Sequence, residues 1–222
     1  MAEFDEKLIE RLRKVQRIVA SKAVIEDRFE KPIRRIAGID VAYNGLNAYV
    51  AVVVLKLSDF RIVEKTTHRG KVAIPYIPGL LCFREGPLIL RALKNVREEF
   101  QVFMVGGHGI AHPFKCGLAT YVGVLSGKPS IGVSSRLLTG CTCETPRDPL
   151  EYKPILLNGE IAGYCLRPRN RANPIYVSPG SFISLETTLE VSIKSLGHYR
   201  MPEPLRLAHL AANEAKKLRV FE

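Results

Sequence analysis

Three short stretches carry residue types suited to chemistry on a charged substrate. Asp40 lies inside an apolar run, Ile36-Ala37-Gly38-Ile39 before it and Val41-Ala42 after it. A carboxylate in such a strand needs a hydrogen bond, an ion partner or a metal, or else simply marks a strand end. Glu85 follows in "PYIPGLLCFREGP" (75–87). It is either a second functional acid or a residue near a helix start, where an acid complements the helix dipole. The third stretch is "FMVGGHGIAHP" (103–113). Its glycines permit close backbone approach and can cradle a phosphate with N–H groups. His112 has a side chain that titrates near neutrality, which suits proton transfer or phosphate binding; the alternative is a structural histidine. Within residues 75–87, the Pro75-Tyr76-Ile77-Pro78 turn is stiff, apolar and aromatic. In a basic protein such a tip suits a wedge between bases, or else an ordinary packed loop.

These groups must be positioned by regular elements, and the hydrophobic pattern indicates which. Phe4, Leu8, Leu12, Val15 and Val19 recur at helical spacing over residues 4–19. Three strand-like runs follow, "RIAGIDVAY", "NAYVAVVVLKL" and "RIVEKTTHRGKV", broken at Asn44-Gly45 and Ser58-Asp59 as hairpins are. Residues 86–100 return to helical period, with Pro87 suited to a first turn. "QVFMV" (101–105) and "PSIGVS" (129–134) read as strands buried on both faces. Between them residues 115–127 suit a helix ended by Gly127. A hairpin turning at Asn158-Gly159 and helices over 184–196 and 203–219 complete the chain. A meander followed by alternating α and β elements predicts an α/β domain, with a mixed sheet flanked by helices.

Composition narrows the class further. The 222 residues, 46% hydrophobic, suit one domain spanning 1–222. No apolar run reaches membrane-spanning length, and the N-terminus is charged at once, so neither a membrane segment nor a secretory leader is expected. Five scattered cysteines predict a reducing, cytoplasmic setting. Cys141-x-Cys143 has no partner pair to complete a zinc site. The formal charge of +11 favours a polyanionic partner, with "LRPRNRANP" (166–174) as a further candidate phosphate contact.

"IAGIDVAY", "PYIPGLLCFREGPLIL", "GHGIAHPFKCGLATYVGVLSGKPSIGVS", "YVSPGS" and "PLRLAH" occur in that order. Together they resemble the endonuclease V family over roughly residues 8–215. The resemblance implies a ribonuclease H-like fold, with a three-stranded antiparallel meander extended by parallel strands. It implies a Mg²⁺-dependent DNA repair nuclease, with Mn²⁺ as a substitute. This enzyme cuts the second phosphodiester 3′ to a deaminated base, chiefly hypoxanthine, in DNA or RNA, and acts as a monomer. Carried over by position, Asp40 and Glu85 are the metal carboxylates and His112 is an active-site histidine. Pro75, Tyr76, Ile77 and Pro78 form the wedge, Gly79 leads to the base pocket, and Gly109, Gly117 and Gly123 shape the pocket and helix packing. Acids are needed because a phosphodiester repels hydroxide. A metal ion held by hard oxygens neutralises that charge, acidifies water and stabilises the leaving oxygen.

The chain also departs from the family pattern. Gly106 stands where the family has a metal-binding Asp. Ser135 replaces a lysine, with Arg136 beside it as a possible substitute on the phosphate. Ser181 replaces a histidine, Tyr121 stands where many members have His, and Phe114-Lys115 where many have Arg-Arg. Glu144 and Asp148, in the following loop, are candidate replacement acids. Three readings stand at this point: an active nuclease, a catalytically impaired member that still binds inosine-containing nucleic acid, or a scaffold with an unrelated role.

Overall fold

The computed structural model describes residues 6–218; Phe4 lies outside the described residues. In chain order the elements are α1 (Glu6–Ala20), β1 (Arg35–Asn44), β2 (Asn47–Lys56), β3 (Ile62–Lys71), α2 (Leu81–Leu93), β4 (Val102–Gly106), α3 (Leu118–Ser126), β5 (Ser130–Ser134), β6 (Cys141–Thr142), β7 (Tyr152–Leu157), β8 (Glu160–Leu166), β9 (Ile175–Ser181), α4 (Leu185–Lys194) and α5 (Glu203–Leu218). The strands form one sheet of order β3-β2-β1-β4-β5-β9-β8-β7-β6. Its centre, β1-β4-β5, is parallel, and its two wings are antiparallel.

The unbroken apolar run of β2 has a direct cause. Ala51, Val53 and Leu55 pack on one face of the sheet with α4 and α5. Val50, Val52 and Val54 pack on the other with α2 and α3. A strand covered on both faces has no solvent side and so no polar alternation. The parallel centre matters for function because crossover helices leave a crevice at the carboxyl ends of such strands, where α/β proteins bind ligands. Asp40 lies towards that end of β1, and Gly106 and Ser134 end β4 and β5.

Three expectations change. The helix predicted from residue 86 begins at Leu81, so Glu85 lies in its second turn and Pro87 in its interior. The turn before it explains the early start. Leu80 N–H donates to Ile77 O at 3.0 Å, with Pro78 and Gly79 between and Gly79 at φ +78°. This is a type II turn, in which Pro suits the second position and Gly the third. It delivers the chain straight into α2. In α1 the buried residues are Gln16 and Val19, while Leu8 and Val15 are more than a third exposed, so the buried face centres on Gln16. Strands β6 and β9 were not anticipated. The segment of β9, Ile175–Ser181, carries Pro179 and Gly180, which obscure its strand character.

Candidate active site

Asp40 and Glu85 reach the same region from opposite faces of the sheet. Asp40 shares the face of Ile36 and Ala42, which α5 covers. A Cβ on Gly38 would fall 1.8 Å from Pro204 O, so glycine at 38 permits α5 to lie directly on β1. That close approach brings His209 onto Asp40, with Nδ1 donating to Oδ2 at 2.8 Å. Asn213, one turn further along α5, offers its amide Nδ2 to His209 Nε2 at 3.2 Å. An amide nitrogen only donates, so the imidazole proton sits on Nδ1, facing Asp40.

Glu85 comes from α2 on the other face and is 91% shielded from solvent by residue area. Its Oε1 accepts a 2.6 Å hydrogen bond from Tyr43 Oη, and Arg84 lies over the Tyr43 ring at 4.7 Å. Burial pushes the Glu85 carboxyl up to about 7; the Tyr43 bond opposes this and the charge of Asp40 adds to it. The Asp40 carboxyl is likewise raised by burial, against the opposing bond and charge of His209. Two desolvated acids that repel one another are costly as anions. A divalent cation removes that cost.

The neighbourhood of Gly106 bears on how such an ion is held. Gly106 follows Val102 and Met104 on the face of Asp40. A Cβ built there meets only Asp40 Oδ1, at 3.4 Å. The position thus faces the acid and has room for a side chain. Among the described residues, no group of three or more His, Cys, Asp or Glu side chains is arranged to hold a metal. Two carboxylates with water and substrate phosphate are nonetheless a common Mg²⁺ donor set, so these residues fit the ion. Glu144 and Asp148 are exposed on the β6–β7 loop and do not line the cleft described next.

A cleft of about 580 Å³ opens beside Gly106. Tyr76, Gly79, Gly107, His108, Ser135 and Arg136 are among its lining residues. Tyr76 is 66% exposed at the tip of the Pro75–Pro78 turn. Arg136 is exposed and has no carboxylate partner among the described residues. Of the other expected groups, Gly109 lies off the cleft. Its N–H donates to Ser178 Oγ at 2.8 Å, and a Cβ would fall 2.0 Å from Pro179 O, so glycine is required there by β9. Gly117 and Gly123 are also packing positions, against His108 O and Ser130 Oγ.

His112 is buried at 3% exposure and both its nitrogens are occupied. Nδ1 accepts from Phe114 N–H at 3.1 Å, so Nε2 carries the proton and meets Gly79 O at 3.1 Å. Burial pushes the imidazole down to about 4, the Gly79 carbonyl opposing. At neutral pH it is a neutral clasp between the glycine-rich loop and the Pro75–Gly79 turn. The histidine on the acid is His209, which sequence reasoning quoted within "PLRLAH" but did not single out. Only its place on the face of α5 that covers β1 reveals it.

Two further segments are placed by their contacts. Ser181 pairs with Ser130, at the end of β5 away from Ser134, and its hydroxyl accepts Val24 N–H at 3.1 Å. It is therefore a structural residue remote from the acids. In the basic loop, Arg167 donates to Pro146 O and Ala172 O, and Arg169 to His198 O, so both are engaged internally.

Against known proteins, residues 17–210 match the family model described as Endonuclease V. The chain belongs to the endonuclease V family. The endonuclease V of Thermofilum pendens is 40% identical over 205 residues, covering 92% of this chain and 87% of the relative. The crystal structure of endonuclease V from Streptomyces avermitilis superposes with a TM-score of 0.88 at 32% identity, covering 95% of this chain and 94% of that one. That of Ciona intestinalis, solved with a 24mer DNA containing an inosine followed by a ribo-adenosine, gives 0.83 at 26% identity, covering 96% and 100%. The nine-stranded sheet and five helices accordingly have the ribonuclease H-like fold of this nuclease family. Among the described residues no helix is long and apolar enough to cross a membrane.

Proposed function

We propose that this protein is a Mg²⁺-dependent nuclease that recognises a deaminated purine, inosine or deoxyinosine, in nucleic acid. It cuts the second phosphodiester 3′ to that base. The observation that carries this reading is the meeting of two desolvated carboxylates, Asp40 and Glu85, at the carboxyl end of a parallel sheet, beside a cleft edged by an exposed aromatic turn. Asp40 and Glu85 hold the ion, which supplies charge neutralisation of the phosphate and activation of water. Tyr43 orients the Glu85 carboxyl, and His209 orients Asp40 while keeping a proton at Nδ1 next to the reacting region. Tyr76 enters the stack while Gly79 admits the displaced base to the cleft, as enzymes acting on a base within a strand require. Arg136 offers a guanidinium to the phosphate.

Gly106 favours a second reading, a protein that binds inosine-containing strands but cleaves them poorly. An ion held by two acids lacks the donor for which the Gly106 position has room. One experiment separates the two. An end-labelled inosine oligonucleotide is incubated with Mg²⁺ or Mn²⁺ and the products are sized. The first reading expects a single nick one nucleotide beyond the inosine's 3′ neighbouring bond, abolished by Asp40→Asn. Inosine-dependent binding without a nick gives the second reading. Neither binding nor nicking refutes both.

A further inference from the structure

Helix α1 takes part in this site through an unusual contact. Gln16 is fully buried, and its amide donates to Gly79 O at 2.9 Å and to Cys116 O at 3.0 Å. A buried amide satisfied by two separate loops locks the helix to both. The locked helix presents two arginines to one aromatic ring. The guanidinium carbon of Arg13 lies 4.3 Å from the centroid of Phe114 and that of Arg17 lies 5.1 Å away. A Cβ on Gly79 would sit 3.2 Å from Arg13 Nη1, which places this cation at the base of the aromatic turn.

Neither arginine is neutralised. Among the described residues no carboxylate lies within 4.0 Å of either guanidinium, whereas neighbouring Lys14 is paired with Glu10 and Lys115 with Glu160. Two like charges sharing one ring repel, and the charge of Arg17 disfavours protonation of Arg13, secondary to burial. Both guanidiniums lie against the ring; Arg13 Nη1 also donates to Gln16 Oε1 at 3.4 Å, and the remaining N–H groups of the pair suit a phosphate oxygen pair. An anion between the two cations relieves the repulsion.

We infer that Arg13 and Arg17, seated on Phe114, form a phosphate subsite for the nucleic-acid strand entered by the Pro75–Pro78 turn. The inference rests on the proposed nucleic-acid function and extends its footprint to α1. The ligand is a backbone phosphodiester. The subsite holds the strand in place independently of the base that the cleft reads, so it sets affinity and salt dependence and leaves base discrimination alone.

The test measures binding of labelled inosine and adenosine oligonucleotides by anisotropy in EDTA, across about 50 to 300 mM KCl. It compares the wild type with Arg13→Gln/Arg17→Gln, Arg13→Lys/Arg17→Lys and Arg34→Gln. Arg34 is an exposed cation at the opposite end of β1 and serves as a control for overall charge. The Gln pair is expected to bind both oligonucleotides about tenfold more weakly. Its slope of log affinity against log salt should be shallower by about 0.7 to 0.9 per lost contact. The Lys pair keeps the slope, and Arg34→Gln keeps the wild-type affinity and single-turnover nicking within about twofold. A Gln pair with the wild-type slope, or an Arg34→Gln variant with the same loss, overturns the subsite. If the wild type shows no preference for inosine, the proposed function fails, and the slopes on the adenosine strand still decide the subsite.

Discussion

Replacing Gly106 by Asp tests the account of the site most directly. The backbone at 106 is extended and the new Cβ meets only Asp40 Oδ1, at 3.4 Å, so the substitution needs no displacement of the fold. It places a third carboxylate beside two whose carboxyls burial already pushes up, Glu85 to about 7. Without metal the three acids repel and stability should fall. With metal they share an ion. Changes around a metal ligand typically alter affinity about 10–100-fold, and the lower bound is enough to detect. At an ion concentration near 100 times the dissociation constant of the variant, binding stabilises it by about 2.7 kcal/mol. The wild type, tenfold weaker, gains about 1.4 kcal/mol. Thermal unfolding with and without Mg²⁺ therefore should show the larger ion-induced rise for Gly106→Asp, from a lower metal-free starting point. The Mg²⁺ concentration for half-maximal nicking should fall at least tenfold. An unchanged Mg²⁺ response in both assays refutes the claim that position 106 is a ligand position that glycine leaves without a donor.

Two further outcomes follow from the charge states. Glu85 ionises near 7 in the folded protein against an ordinary 4.5, so between those values the folded state holds a proton that the unfolded chain has lost. Stability should decline as pH rises through that window, by about 3 kcal/mol; urea titrations at pH 5 and 7.5 should show the decline in metal-free wild type and its loss in Glu85→Gln, and equal slopes in the two proteins would refute it. His112 works as a clasp, so His112→Ala should cost about 1–3 kcal/mol of stability through the unpaired Phe114 N–H and Gly79 O. Its pH–rate profile should keep the wild-type acidic limb. A drop in nicking of more than about a thousandfold with an unchanged melting temperature would instead make His112 a proton donor.

Most of the fold was legible because its pattern is strong. The unbroken β2 run, the Asn-Gly turns and Gly127 as a left-handed helix cap each act through local backbone preference, and each appears where the spacing predicts. The desolvation of Asp40 was legible for a related reason, since a carboxylate inside an apolar run is a desolvated one. What failed was anything decided by distance through space. Pro87 suggested a helix start, but the type II turn at Pro78-Gly79 starts the helix earlier. His112, at the end of a glycine-rich turn, stood out in the sequence, and His209, in an ordinary amphipathic helix, did not. Gly38 explains the place of His209. Because residue 38 has no side chain, α5 contacts β1 directly, and the fifth residue after Pro204 becomes the partner of Asp40. The same logic applies at Gly106, where the missing side chain packs against nothing and opens space beside an acid. One glycine is thus required by a neighbour and the other is not. That difference, invisible in sequence, makes position 38 structural and position 106 the place where activity can be tuned.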